Sequence, residues 1–135
     1  MPRYLTLRNP SLSQLRQVIA LYDAAGWHGK GDRTARYRAM IKGSHCFVAA
    51  ACGQQLVAMG RAISDGANDA YIQDMFVLPQ WRRKGVASAV LRKLLACLKK
   101  DRLRWVGLIA EKNAAPLYRA RGFRPMKNFM PMLKK

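Results

Sequence analysis

Residues 77–87 read Val-Leu-Pro-Gln-Trp-Arg-Arg-Lys-Gly-Val-Ala. A proline that stops a strand, a turn of three cations and a glycine opening an amphipathic stretch have the make-up of an anion cradle. The first turn of a helix leaves its backbone N–H groups without intrahelical partners, and the helix dipole sets a positive end in the same place. Gly85 has no side chain to block a phosphate and Ala87 only a small one, while Arg82, Arg83 and Lys84 add positive charge around the turn. A diphosphate suits such a turn. The pattern is neither GxxxxGK(S/T) nor GxGxxG, so it is not a Walker loop or a dinucleotide fingerprint. An ordinary strand–turn–helix with a basic surface cluster has the same make-up, and this stretch alone leaves both readings open.

The elements that would position the cradle follow from periodicity. Residues 4–8 alternate as a strand does. Ser11 or Ser13 can cap a helix carrying Leu15, Val18, Ile19 and Tyr22 on one face and ending at Gly26, and Asp32 or Thr34 can start a second, short one. Residues 46–51, 55–63 and 71–78 are strand-like, separated by Gly53-Gln54 and Ser64-Asp65-Gly66, and read as an antiparallel meander. From Gly85 the period becomes helical, with Val86, Val90, Leu91, Leu94 and Leu98 on one face. A strand over 105–110, a short helix over 114–121 closed by Gly122, and a last strand over 129–133 complete the order β-α-α-β-β-β-α-β-α-β. That is one α/β domain spanning residues 1–135, with no linker or repeat.

Charge and cysteine content narrow the classes. Lys and Arg number 25 against 7 Asp and Glu, a net charge of +18, which draws anions, nucleotide cofactors and nucleic acid among them. Cys46, Cys52 and Cys97 match no CxxC or zinc spacing, so reduced thiols and no metal are expected. There is no run of about 18 uncharged apolar residues for a membrane helix, and the first residues lack the apolar core of a signal peptide. A cytoplasmic location is the expectation. The apolar run Phe129-Met130-Pro131-Met132 could join two chains, and both a monomer and a homodimer remain open.

Arg82-x-x-Gly85-x-Ala87, following Val77-x-Pro79, resembles the acetyl-CoA signature of the GNAT superfamily of N-acetyltransferases, Q/R-x-x-G-x-G/A. Farther on, Pro116-Leu117-Tyr118-Arg119-Ala120-Arg121-Gly122-Phe123 resembles the family's second signature, Leu/Phe-Tyr-x-x-x-Gly-Phe, with one strand between the two as in the family. The resemblance covers nearly the whole chain. It implies a mixed, mostly antiparallel central sheet flanked by helices, and transfer of an acetyl group from acetyl-CoA to a primary amine. It further implies that the backbone of Met75, Phe76 and Val77, on a strand that splays from its neighbour, pairs with the pantetheine arm. The amides of Arg82, Arg83, Lys84, Gly85, Val86, Ala87 and Ser88 would hold the pyrophosphate, and Tyr118 would sit near the thioester sulfur. Many members carry Asn where this chain has Glu111; Asn113 lies two positions late and is assigned no cofactor contact.

Acetyl transfer needs a neutral amine, and an alkyl ammonium of pKa near 10.4 costs roughly 4–5 kcal/mol to deprotonate at neutral pH. A carboxylate acting directly or through water can accept that proton, and a phenol can protonate the departing thiolate. On the family analogy Tyr118 is the acid. Asp65, Asp69, Asp74 and Glu111 are the candidate bases; Asp74, on the strand bordering the thioester, leads. By strand alternation it shares a face with Ile72 and Phe76. Trp27 and Trp81 could line an acceptor pocket, and His28 and His45 are weaker candidates. Two other classes stay open: a regulatory module that binds acyl-CoA without transfer, and a basic RNA- or ribosome-associated protein. The second lacks any zinc-finger, RRM or KH signature.

Overall fold

In the computed structural model, which describes residues 1–135, the chain runs β1 (Arg3–Thr6), α1 (Leu12–Ala24), α2 (Arg33–Gly43), β2 (Cys46–Cys52), β3 (Gln55–Ser64), β4 (Asp69–Val77), α3 (Val86–Lys100), β5 (Trp105–Leu108) and α4 (Ala115–Arg119). Single 3-10 turns at Pro79–Trp81 and Lys112–Ala114 precede α3 and α4. The strands form one sheet in the order β1-β2-β3-β4-β5, antiparallel from β1 to β4, with β5 parallel to β4. A parallel neighbour demands a crossover, and α3 is that crossover.

The sheet separates two apolar layers. On one face α3 lays Val86, Val90, Leu91, Leu94 and Leu98 against Val48, Ala50, Val57, Ala58, Ala62 and Ile72. On the other, Leu15, Val18, Leu21 and Tyr22 of α1 and Tyr37 and Ile41 of α2 cover Phe47, Ala49, Ala51 and Met59. Being covered on both sides, β2 is an unbroken apolar run instead of an alternating one. Ser11 caps α1 in a reciprocal box: its hydroxyl accepts from the Gln14 N–H at 3.1 Å, and Gln14 Oε1 accepts from the Ser11 N–H at 2.9 Å. Asp32 caps α2 by accepting from the Ala35 N–H at 3.1 Å.

Two expectations are corrected. Residues 129–133 form no strand: Phe129, Met130, Met132 and Leu133 are exposed, and no other strand pairs with them. Two prolines, Pro125 and Pro131, flank and interrupt the segment and remove ladder donors. The alternation of β4 also fails midway. Met59 pairs with Phe76 and Arg61 with Gln73, so Gly60 alone opposes both Asp74 and Met75. The bulge puts Asp74 in the left-handed region at φ 57° and turns its side chain to the α1 face, opposite Ile72, while Phe76 does lie on the α1 side.

Gly60 is what lets the bulge pack. A Cβ built there would lie inside the Met75 sulfur and 3.1 Å from both Leu94 Cδ1 and Val90 Cγ1. Gly60→Ala is therefore expected to destabilise the chain by about 1–3 kcal/mol. Urea unfolding checks it, and adding Met75→Ala should recover part of the loss because the two side chains compete for one space.

Candidate active site

The cradle begins where β4 ends. Leu78 starts the 3-10 turn, the Trp81 and Arg82 N–H groups bond back to Leu78 and Pro79 at 2.9 and 3.2 Å, and α3 starts at Val86. The backbone N–H groups of residues 83–88 make no bond within the chain. The Arg82 amide, by contrast, is already engaged, so six of the seven expected amides are free for an anion. Arg83 at φ 61° and Gly85 at φ 79° curl these amides into a concave nest. For Arg83 that conformation is uncommon. At Gly85 a Cβ would meet nothing within 4 Å, so the space above it is open to a ligand.

A groove of about 240 Å³ runs here between Val77, Trp81, Arg83, Ala87 and Leu117, which joins α4 to the start of α3. Arg121 Nη2 donates to Ser88 Oγ at 2.9 Å and brings a cation to the nest. Arg82 turns away from it: its Nε donates to the Val77 carbonyl at 2.9 Å and its guanidinium lies 5.5 Å from the Phe76 ring centroid. Lys84 sits over Trp81 at 5.5 Å. Trp81 thus borders the anion groove, whereas Trp27 packs with Tyr22 and Phe76 on the other face of the sheet.

Beside the groove β4 loses its parallel neighbour. Pairing with β5 runs from Asp69↔Trp105 to Ile72↔Leu108 and then stops. Met75, Phe76 and Val77 keep β3 on one side and have no strand on the other. This leaves a free strand edge that leads from the bulge to the nest.

Asp74 stands at the head of that edge. Its Oδ2 accepts from Tyr22 Oη and from Arg61 Nε, each at 2.7 Å, and its Oδ1 has no partner in the chain and is not sealed from solvent. Burial and the adjoining Asp74 carboxylate push the Tyr22 phenol far above its usual range, so it remains a hydrogen-bond donor. The other acids have different surroundings. Asp65 accepts from the Ala67 and Asn68 amides, which hold its carboxyl below the usual carboxylate range, and Asp69 lies where β4 begins. Glu111 is exposed on the chain leading into α4.

Tyr118 is buried on α4 with its ring edge-on to Phe123 at 5.9 Å. Its hydroxyl has no partner in the chain yet is not closed off. Burial and then the Glu111 charge raise its pKa, which keeps it a proton donor at neutral pH. Neither histidine joins these groups. His28 is paired with Asp23 at 3.2 Å beside Arg33, and His45 lies at the far end of the sheet from the nest.

A family profile for the GNAT acetyltransferase domain matches residues 42–125. The chain belongs to the GNAT acetyltransferase family. Its fold is that of a probable acetyltransferase from meticillin-resistant Staphylococcus aureus, with 25% identity, a TM-score of 0.83 and coverage of 100% and 99% of the two chains. A Clostridium acetobutylicum structure solved with acetyl-CoA superposes with a TM-score of 0.74 over 98% of this chain and 96% of that one; its 19% identity supports likeness of fold alone. Curated relatives include the chloroplastic GCN5-related N-acetyltransferase 2 of Arabidopsis thaliana, at 31% identity, and a histone acetyltransferase of Glycine max, at 33%, each over 70 residues or 52% of this chain. The chain spans only 27% and 30% of the length of those two proteins.

Three residues of this GNAT domain escaped the sequence reading. Tyr22 and Arg61 reach Asp74 from α1 and β3, 52 and 13 positions away, and Arg121 reaches Ser88 across 33. Only Arg61, a cation in an otherwise apolar strand, carried a signal.

The shift at Tyr22 sets a pH dependence. Its folded pKa lies above the unfolded value of about 10, so above that pH the unfolded state binds fewer protons and stability falls, by up to about 1.4 kcal/mol per pH unit. Below pH 10 the contribution is fully present. Denaturant unfolding from pH 9 to pH 11 should show this slope in the native chain and a shallower one in Tyr22→Phe.

Proposed function

We propose that this GNAT domain transfers the acetyl group of acetyl-CoA to a primary amine, of a small molecule or a protein, by direct attack in a ternary complex. The observation that carries the proposal is the run of six free amides at residues 83–88, continuous with the unpaired edge at Met75, Phe76 and Val77. One end suits a diphosphate and the other an amide-bearing arm that can pair like an added strand. Bound in this groove, acetyl-CoA supplies an activated acetyl thioester.

The chain's own residues do the rest. The nest and the Arg121 guanidinium bind the diphosphate, and the free edge of β4 orients the arm and offers an N–H to the thioester carbonyl. The Asp74 Oδ1 atom, which its two donors leave open, accepts a proton from the incoming ammonium directly or through one water. Tyr22 and Arg61 hold that carboxylate in place. The Tyr118 hydroxyl donates a proton to the departing sulfur. Holding amine and thioester together removes much of the entropic barrier. With a net charge of +18, and with Arg61 bonded to Asp74 and Arg82 over the Phe76 ring, the domain repels polycations, so the acceptor is an amine whose overall charge is low or negative.

Titration calorimetry with acetyl-CoA, followed on the same sample by release of free CoA thiol over an amine panel, tests the reading. Micromolar binding and amine-dependent thiol release are expected. Tyr118→Phe should lower kcat about 100-fold or more while changing the KM for acetyl-CoA by less than about threefold. Binding that persists with no thiol release from any amine would identify a CoA-binding module instead, and absence of binding would refute the cradle.

A further inference from the structure

At the opposite end of α3 from the nest, about 22 Å along the helix, three side chains of different ligand type converge. His45 sits at the start of β2, Cys97 in the last turn of α3 and Asp101 at its C-cap. One ligand atom from each lies within 4.8 Å of the other two, and His45 Nε2 is 2.7 Å from Asp101 Oδ2. Cys97 and Asp101 are spaced i, i+4 and share a face of the helix. The His45 N–H bonds to the Ala62 carbonyl at 2.9 Å, which anchors the histidine backbone, and its side chain is 19% exposed. A second thiol, that of the buried Cys46, is a neighbour of Cys97.

We propose that His45, Cys97 and Asp101 form a binding site for a divalent metal ion of borderline softness, Zn2+ in the first instance, that ties the start of β2 to the end of α3. The donor set is one imidazole nitrogen, one sulfur and one carboxylate oxygen, a mixture that suits zinc better than an all-oxygen ion such as magnesium. Tetrahedral zinc places such atoms about 3.2–3.8 Å apart, so the His45–Asp101 contact must open by about half an ångström, and a pair as wide as 4.8 Å must close by about 1 Å. Thiolate and carboxylate together supply two negative charges, which match a dication and offset the repulsion expected in a chain of net charge +18. A nucleophilic relay is a poorer fit, because it would set thiol and carboxylate on opposite imidazole nitrogens, farther apart than 4.8 Å. Asp101 is 41% exposed and leaves a path for the ion and for a water as fourth ligand. The site lies apart from the acetyl-transfer groove and does not depend on that reading.

The test uses the full chain, reduced, stripped with a chelator and given one equivalent of Zn2+ or Co2+ in a Cys52→Ser background, since Cys52 is about 20 Å along β2 from Cys46 and would add adventitious binding. Expected are uptake of one ion per chain, a rise in Tm of several degrees, and a thiolate-to-cobalt charge-transfer band with the intense visible bands of a tetrahedral ion. Cys97→Ser should abolish the charge-transfer band, and His45→Gln and Asp101→Asn should each weaken binding at least tenfold, with far-UV circular dichroism unchanged. Absence of uptake by the reduced chain would overturn the proposal. So would uptake that survives Cys97→Ser and His45→Gln, or a Cys46–Cys97 disulfide as the only state of the purified chain that gains stability.

Discussion

The molecule turns on the misfit between its third and fourth strands: two residues of β4, Asp74 and Met75, face a single residue of β3, Gly60. The extra residue throws Asp74 into a left-handed conformation and reverses the side-chain alternation for the rest of the strand. Met75 then points at α3, where only a glycine leaves room for its sulfur, and Asp74 points at α1, where Tyr22 and Arg61 hold it. Past the same point β4 has no pairing with β5, and a free edge runs on to the turn before α3.

The second constraint is the placement of backbone donors. A nest of amides that bond to nothing is a cost to the folded chain unless solvent or a ligand satisfies them. Here they stay unpaired because Pro79 and the 3-10 turn stop the strand and Gly85 reopens the chain as a helix. Arg82 braces this corner from within by bonding to the Val77 carbonyl and lying over Phe76. Its charge therefore serves the shape of the turn, and Arg121, arriving from α4, takes the place at the mouth that the sequence had suggested for Arg82.

Local signals were legible and distant ones were not. The helix starting after Gly85, its apolar face, the meander and the short helix before Gly122 all follow from periodicity and turn residues within a dozen positions. The bulge was missed although Gly60 and Asp74 are both uncommon inside strands, because which residue opposes which is fixed by the register of two separate strands. That is why alternation placed Asp74 beside Ile72. The apolar residues 129–133 read as a strand by composition, but a strand needs a partner ladder, and two prolines deny it. His45, Cys97 and Asp101 escaped the spacing rules for the same reason as Tyr22 and Asp74: their segments meet only through the sheet and its crossover helix.

Scarcity sharpens the reading of the acids. With 25 cations and 7 carboxylates, five of the carboxylates have a geometric task. Asp23 holds Arg33 and His28, Asp32 caps α2, Asp65 shapes the loop before β4, and Asp101 bonds His45. Asp74 has such a task as well, pinning the bulge through Oδ2, yet it differs from the rest in where its other oxygen faces. The carboxylate that fixes the strand's departure is the one left at the head of the free edge, with Oδ1 open toward solvent. Under the proposed mechanism positioning and proton acceptance need not compete, because they would fall on different atoms of one group. A substitution that keeps the shape but removes the charge would separate the two roles: Asn can still accept from Tyr22 and Arg61 through its carbonyl, but it cannot take up a proton from an ammonium.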